Sequence, residues 1–396
     1  MPSDLAINLV ATFIAFLTGL FARSAYHRLR GKALQRNRKR IMEQRHPTFT
    51  APWLVNYYRE NGHVDDLYAA EFGDGVVQVP FLVRPTWHLD NVSEDELIDQ
   101  AMPQRQATVP IDRKLLKRRG RYLSLTDRHG EPWNDLIACA KGVSETEAGP
   151  RIQLQVAEYF QYLSACGPLE DETYRAVRTA RAKTPIRDRV LSSAAEAARC
   201  DLGAHAFGMQ VAVVFDDGQR LRILIQRRSY SVSIYGGALA VVPVFGCQTT
   251  DLTANTRVSL FHNFLREVYE ELYGGAEVEQ KTARVDPAWF YREAPIERLI
   301  KARSTGQLDF RLLGFGFDAL NGEMDVLALA LFKESRFSRI ELSEMAMNWE
   351  INDIQVWDLF GQELTDALTA GEFSPGSVYT IMRCRQQLRG QLPAPA

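Results

Sequence analysis

The chain has no CxxC pair and no cluster of cysteine with histidine; its five cysteines, Cys139, Cys166, Cys200, Cys247 and Cys384, are scattered over 396 residues. That absence argues against a thiolate zinc site or a disulfide framework and fits a reducing compartment. From Leu5 to Ala22 there is no charge of either sign, and among the eight basic residues between Arg23 and Arg40 there is no acidic one. The uncharged run LAINLVATFIAFLTGLFA has 18 residues. As a helix at about 1.5 Å per residue it reaches roughly 27 Å, close to the hydrocarbon thickness of a bilayer. A cleaved leader would carry its positive charge ahead of the apolar run. Here Asp4 precedes the run and the cations follow it. The order predicts a single-pass cell-membrane protein in contact with the lipid bilayer through residues 5–22, its N-terminus outside and its C-terminal body cytoplasmic.

A formal net charge of −2 hides an asymmetry, because residues 1–45 hold nine Lys/Arg against two Asp/Glu while the remainder carries −9. The basic stretch suits anionic headgroups or simply fixes topology. Its place directly after the apolar run accounts for its charge, so no nucleic-acid partner is expected. The division falls at residue 45. Residues 46–200 read as an N-terminal cytoplasmic region, helical or irregular, with a helical signal in WLVNYYREN (53–61) and a strand-like VVQVPFLV (76–83), and residues 201–390 as a second domain. Prolines 80, 85, 103, 110 and 132 punctuate the first part, which argues for short elements. The basic stretch 104–121 reads as solvated surface. RIQLQVAEYFQYLSAC, with Leu154, Ala157, Phe160 and Leu163 at three-residue steps, reads as a helix, and Asp188–Cys200 as another.

After residue 208 the periodicity changes. MQVAVVF (209–215), a DDGQ turn and LRILIQ (221–226) predict a hairpin, and FRLLGFGF (310–317) with DVLALALF (325–332) predicts a second. Between them SLFHNFLREVYEELYGG predicts a helix stopped by Gly274 and Gly275. Phe261, Phe264, Leu265, Val268 and Leu272 form its apolar stripe. Glu267, Glu270 and Glu271, at positions i, i+3 and i+4, lie on the other side, where their carboxylates can converge. Magnesium or manganese takes such hard oxygen ligands. An ordinary solvated face, with Arg266 paired to Glu270, is the alternative. Arg227 and Arg228, at the end of the LRILIQ strand, are candidates for phosphate or purine contact. Asp318, Glu323 and Asp325 are candidates for a general base or for plain turn chemistry. His205 and His262 read as structural.

Arg266-Glu267-Val268-Tyr269-Glu270-Glu271 resembles the REVxEE core of the Nudix hydrolase superfamily, and the likeness extends over about residues 205–360. The resemblance implies an α+β fold, a Nudix-like α/β/α sandwich with a mixed sheet, here preceded by the extension and one transmembrane helix. It further implies hydrolysis of a nucleoside diphosphate-linked substrate, with Mg2+ or Mn2+ on Glu267, Glu270 and Glu271 and with Arg266 orienting them. The sequence departs from the family where the motif's opening glycine and glutamate would stand, at Leu252 and Val258, and its late glycine is Tyr273, with Gly274 one residue on. A membrane helix joined to such a domain also resembles effectors of bacterial nucleotide-signalled antiphage defence. The expectations are therefore an enzyme, a nucleotide sensor acting through its membrane helix by self-association, or a scaffold.

Overall fold

In a computed structural model the described residues are 46–73, 75–99, 107–120, 134–179, 183–230, 232, 234–248, 259–275, 288–335, 341, 344–345 and 351–390. The apolar run 5–22, Leu252 and Val258 lie outside them. Among the described residues no helix is long and apolar enough to cross a membrane.

Residues 46–396 form one compact unit. Its strands are β1 (Leu67–Phe72), β2 (Gly75–Leu82), β3 (Leu136–Thr146), β4 (Gly149–Glu158), β5 (His205–Asp216), β6 (Leu221–Arg228), β7 (Leu239–Val241), β8 (Val244–Gly246), β9 (Leu308–Asp318), β10 (Met324–Phe332) and β11 (Ile351–Asp358). The principal helices are α1 (Pro47–Glu60), α2 (Tyr159–Arg178), α3 (Leu260–Glu267), α4 (Ala294–Ser304), α5 (Gln362–Thr369) and α6 (Pro375–Leu388). One mixed sheet runs β1-β2-β9-β10-β5-β3-β4, with β6 and β8 also on β5, and with β7 and β11 on β6. Its centre is the parallel pair β5 and β10, in which Asp325 stands opposite Gly208 and Phe332 opposite Phe215. A parallel pair cannot be closed by a tight turn, and the long crossover between these strands carries α3 and α4.

Strand geometry sorts the core. Phe207, Met209, Val211, Val213 and Phe215 of β5 face one layer, with Leu54 and Tyr58 of α1, Phe264 and Leu265 of α3 and Leu299 of α4. Ala212 and Val214 face the other, with Leu364 of α5 and Tyr379, Ile381 and Leu388 of α6. Helices on both faces of a mixed sheet match the expected α+β layering.

In the N-terminal region the helical WLVNYYREN lies in α1 and the strand-like VVQVPFLV in β2, but the region holds more strand than expected. It supplies four strands: β2 pairs with β9, and β3 with β5. RIQLQVA is strand β4, not helix. Ile152 and Leu154 are buried on one face, and a hairpin with β3 supplies the missing hydrogen bonds. The helix begins only at Tyr159, where Gln161 and Glu158 form a capping box. Nor is the basic stretch all surface. Arg119 is fully buried and its Nη1 lies 3.1 Å from Glu170 Oε1, while Nη2 donates to Gly167 O at 2.8 Å. All five cysteines are free and buried.

Candidate active site

Helix α3 starts at a doubly occupied cap. Ser259 Oγ accepts the His262 N–H at 3.3 Å, and Glu94, distant in sequence, accepts Leu260 N–H at 2.7 Å and Phe261 N–H at 3.2 Å. A carboxylate at a helix N-terminus satisfies open donors and meets the positive end of the dipole. Glu94→Ala is expected to lower stability by about 1–2 kcal/mol, measured by chemical denaturation.

Beyond Glu267 the helix changes pitch, and Val268–Leu272 is a π turn. Such turns occur at functional sites and re-aim the side chains they carry. Nothing in the residue pattern signals it. The polar side of the segment is buried like the apolar one: Arg266 is 3% exposed, Glu267 7%, Glu270 6% and Glu271 2%. Arg266 stands between two carboxylates, with Nη2 at 2.6 Å from Glu267 Oε1 and Nη1 at 3.0 Å from Glu270 Oε2. The far end is anchored too. Tyr273 donates its hydroxyl to Glu341, which also accepts from Arg298 of α4 at 2.9 Å.

Three carboxylates suit a hard divalent cation in donor chemistry. Their arrangement gives two of them to Arg266 and, among the described residues, no three His, Cys, Asp or Glu side chains converge as a metal-holding group.

The strand-end arginines part company. Arg227 Nη1 donates to Gly237 O at 3.0 Å. Arg228 lies within electrostatic reach of Glu323 and Asp325. These acids, with Asp318, occupy the turn from β9 to β10. Asp318 Oδ1 accepts from the Leu320 N–H at 2.8 Å and the Tyr235 hydroxyl at 2.9 Å, and Asp325 Oδ2 accepts from Gln210 Nε2 at 2.6 Å. Asp325 crosses to β5 over a glycine: a Cβ on Gly208 would come within 2.7 Å of its Oδ1. Burial is the main cause that pushes the Asp318 carboxyl up to about 7, and burial with mutual repulsion raises Glu323. Asp325 is raised by burial as well, opposed by the Gln210 hydrogen bond. Carboxyls that titrate near neutrality can take and return protons. The hydrogen bonds of Asp318 and Asn321 are turn chemistry, and the raised carboxyls leave Asp318 and Glu323 as candidates for a general base. His205 is structural, buried, with Nδ1 at 2.7 Å from Gly322 O. His262 is likewise held, with Nδ1 at 2.8 Å from the Tyr291 hydroxyl. Tyr235, Gln210 and Glu94 escaped the sequence reading because each acts on a residue far along the chain.

No family model matches the chain, and no curated protein does. Among solved structures, it is similar to the Nudix domain of Shewanella oneidensis NrtR complexed with ADP ribose, at 16% identity over 47% of this chain and 89% of that one, TM-score 0.29. It is also similar to the Nudix hydrolase RenU of M. smegmatis, at 15% identity over 48% of this chain and 89% of that one, TM-score 0.24. A third is a bifunctional NMN adenylyltransferase/ADP ribose pyrophosphatase of Francisella tularensis complexed with AMP and a manganese ion, at 10% identity over 57% of this chain and 52% of that one, TM-score 0.29.

Proposed function

We propose that the protein is a membrane-tethered Nudix-like hydrolase that cleaves a nucleoside diphosphate-linked substrate on the cytoplasmic side with Mg2+ or Mn2+. The observation that carries this reading is the buried set Arg266, Glu267, Glu270 and Glu271 on one helical segment. Burying three carboxylates is costly, pairing with Arg266 offsets part of that cost for two of them, and a buried acidic cluster of this kind is a candidate functional site. Glu267, Glu270 and Glu271 would hold the metal only by drawing closer together than they stand here, and the ion would supply the charge that neutralises a diphosphate and activates water. Arg266 keeps Glu267 and Glu270 in place. Arg228 offers its guanidinium to a phosphate oxygen, with Arg227 as the neighbouring candidate, and Asp318 or Glu323 accepts a proton near neutral pH.

The test is a screen of nucleoside diphosphate derivatives against the full-length protein with magnesium. Glu271→Gln is expected to abolish turnover, and Glu270→Gln to remove any rise in melting temperature caused by magnesium or manganese. Turnover that survives Glu271→Gln overturns the metal assignment.

A second reading, a nucleotide sensor acting through its membrane helix and self-association, is favoured by the departures at Leu252 and Val258 and by the hold of Arg266 on two of the three carboxylates. Calorimetric binding of a nucleotide without turnover supports it over the enzyme.

A further inference from the structure

One of the side chains that hold the turn between β9 and β10 grips two successive carbonyls of it from outside the sheet. Arg187 sits on the short helix Pro185–Val190 and is fully buried. Its Nη1 donates to Ala319 O, and its Nη2 donates to Leu320 O at 2.9 Å and to Thr173 Oγ1 of α2 at 2.8 Å. The Tyr58 hydroxyl of α1 accepts from Nη1 at 3.5 Å and donates to Leu191 O at 2.5 Å. The helix carrying Arg187 is fixed in turn. Glu172 accepts the backbone N–H groups of Ile186 at 3.0 Å and Arg187 at 3.1 Å. Asp188 accepts from the Tyr57 hydroxyl at 2.8 Å and from Thr184 Oγ1 at 3.0 Å.

A buried guanidinium spent on carbonyl oxygens is an expensive way to fill a core, and an apolar side chain of similar volume would serve packing alone. What arginine adds is a planar fork that reaches two successive carbonyls at once, which a lysine ammonium does not reproduce. The two carbonyls belong to the residues directly after Asp318. On the other side of the turn Asn321 donates to the Tyr162 hydroxyl of α2 at 3.2 Å and to Glu323 Oε2 at 3.3 Å. Arg187 and Tyr162, which hold the turn here, come from residues 46–200, while Tyr235 and His205 hold Asp318 and Gly322 from the other part of the chain.

We propose that Arg187 is the positioning residue of the acidic turn: it fixes the backbone between Asp318 and Glu323 and makes that turn answer to the packing of α1 and α2. The role rests on reading the turn as part of the hydrolytic site. It also gives residues 46–200 a task in the chemistry, since a shift of Tyr58 or Thr173 reaches Asp318 through a single side chain.

The charged and titratable groups around the guanidinium are Asp318 on the turn, Glu172 on α2, Asp188 on its own helix, and Tyr57 and Tyr58 on α1. The test uses the full-length protein with Arg187→Lys, which keeps the charge and loses the fork, and Tyr58→Phe, which removes one link to α1. Amide hydrogen exchange is followed over residues 318–325 and over α6. Arg187→Lys is expected to speed exchange in the turn at least tenfold and to leave α6 unchanged, with a smaller rise for Tyr58→Phe. With a substrate in hand, Arg187→Lys lowers kcat more than it raises KM and displaces the pH profile. A turn as protected as in wild type, or equal loosening of turn and α6, overturns the proposal. A turn loosened alone, in a protein that turns over no nucleotide, upholds the positioning role and counts against the hydrolase reading instead.

Discussion

Replacing Arg266 with alanine is expected to destabilise the folded protein by about 3–5 kcal/mol at neutral pH, because two buried carboxylates lose the guanidinium between them. Chemical denaturation of the full-length protein measures the loss. Arg266 contacts Glu267 at 2.6 Å and Glu270 at 3.0 Å, so the effect should exceed that of any exposed pair. Arg266→Met combined with Glu267→Gln and Glu270→Gln removes the stranded charges and should recover most of the stability. Magnesium then separates two uses of this face. If the carboxylates accept a divalent ion, the ion replaces the missing positive charge, and its stabilisation of Arg266→Ala should exceed its stabilisation of wild type. If magnesium moves neither melting temperature, Glu267 and Glu270 are structural partners of the arginine and the metal assignment fails.

The central hairpins were legible because β5, β6, β9 and β10 are dense apolar runs about clear turn signals, as strands of a sheet covered on both faces should be. Helix α3 was legible from its apolar stripe. Its π turn and the burial of its polar side were not, since periodicity reports one face and says nothing of what covers the other. Strand β4 failed for a related reason: Leu154, Ala157, Phe160 and Leu163 span a strand and a helix start, and only pairing with β3 breaks the tie. Charges misled most. Arg119 meets a carboxylate 51 residues away and Arg187 a carbonyl 132 residues away. Whether a charged side chain is buried depends on partners that local sequence does not contain.

The acidic turn makes the other large prediction, and its sign follows from linkage. The folded-state carboxyl of Asp318 is raised to about 7, against about 4 for an unperturbed aspartate. Between those values the folded protein holds a proton that the unfolded chain has released, so the contribution of this group to stability falls as pH rises from about 4 to about 7. Asp318→Asn removes that dependence while keeping its contacts, because Tyr235 and Leu320 both donate to the one oxygen, Oδ1, which an amide carbonyl replaces. The variant is therefore expected to be more stable than wild type by about 2–4 kcal/mol at pH 8, with the difference shrinking toward pH 4. Denaturation curves across that range test it. Removing the Asp318 charge also relieves Glu323, on which Asp318 acts to raise the carboxyl. A stabilised variant that has lost turnover would mark Asp318 as a residue kept for chemistry at the expense of the fold. A variant less stable at pH 8 than wild type would mean that Asp318 is ionised and held by Arg187, and the proton acceptor would then be sought at Glu323.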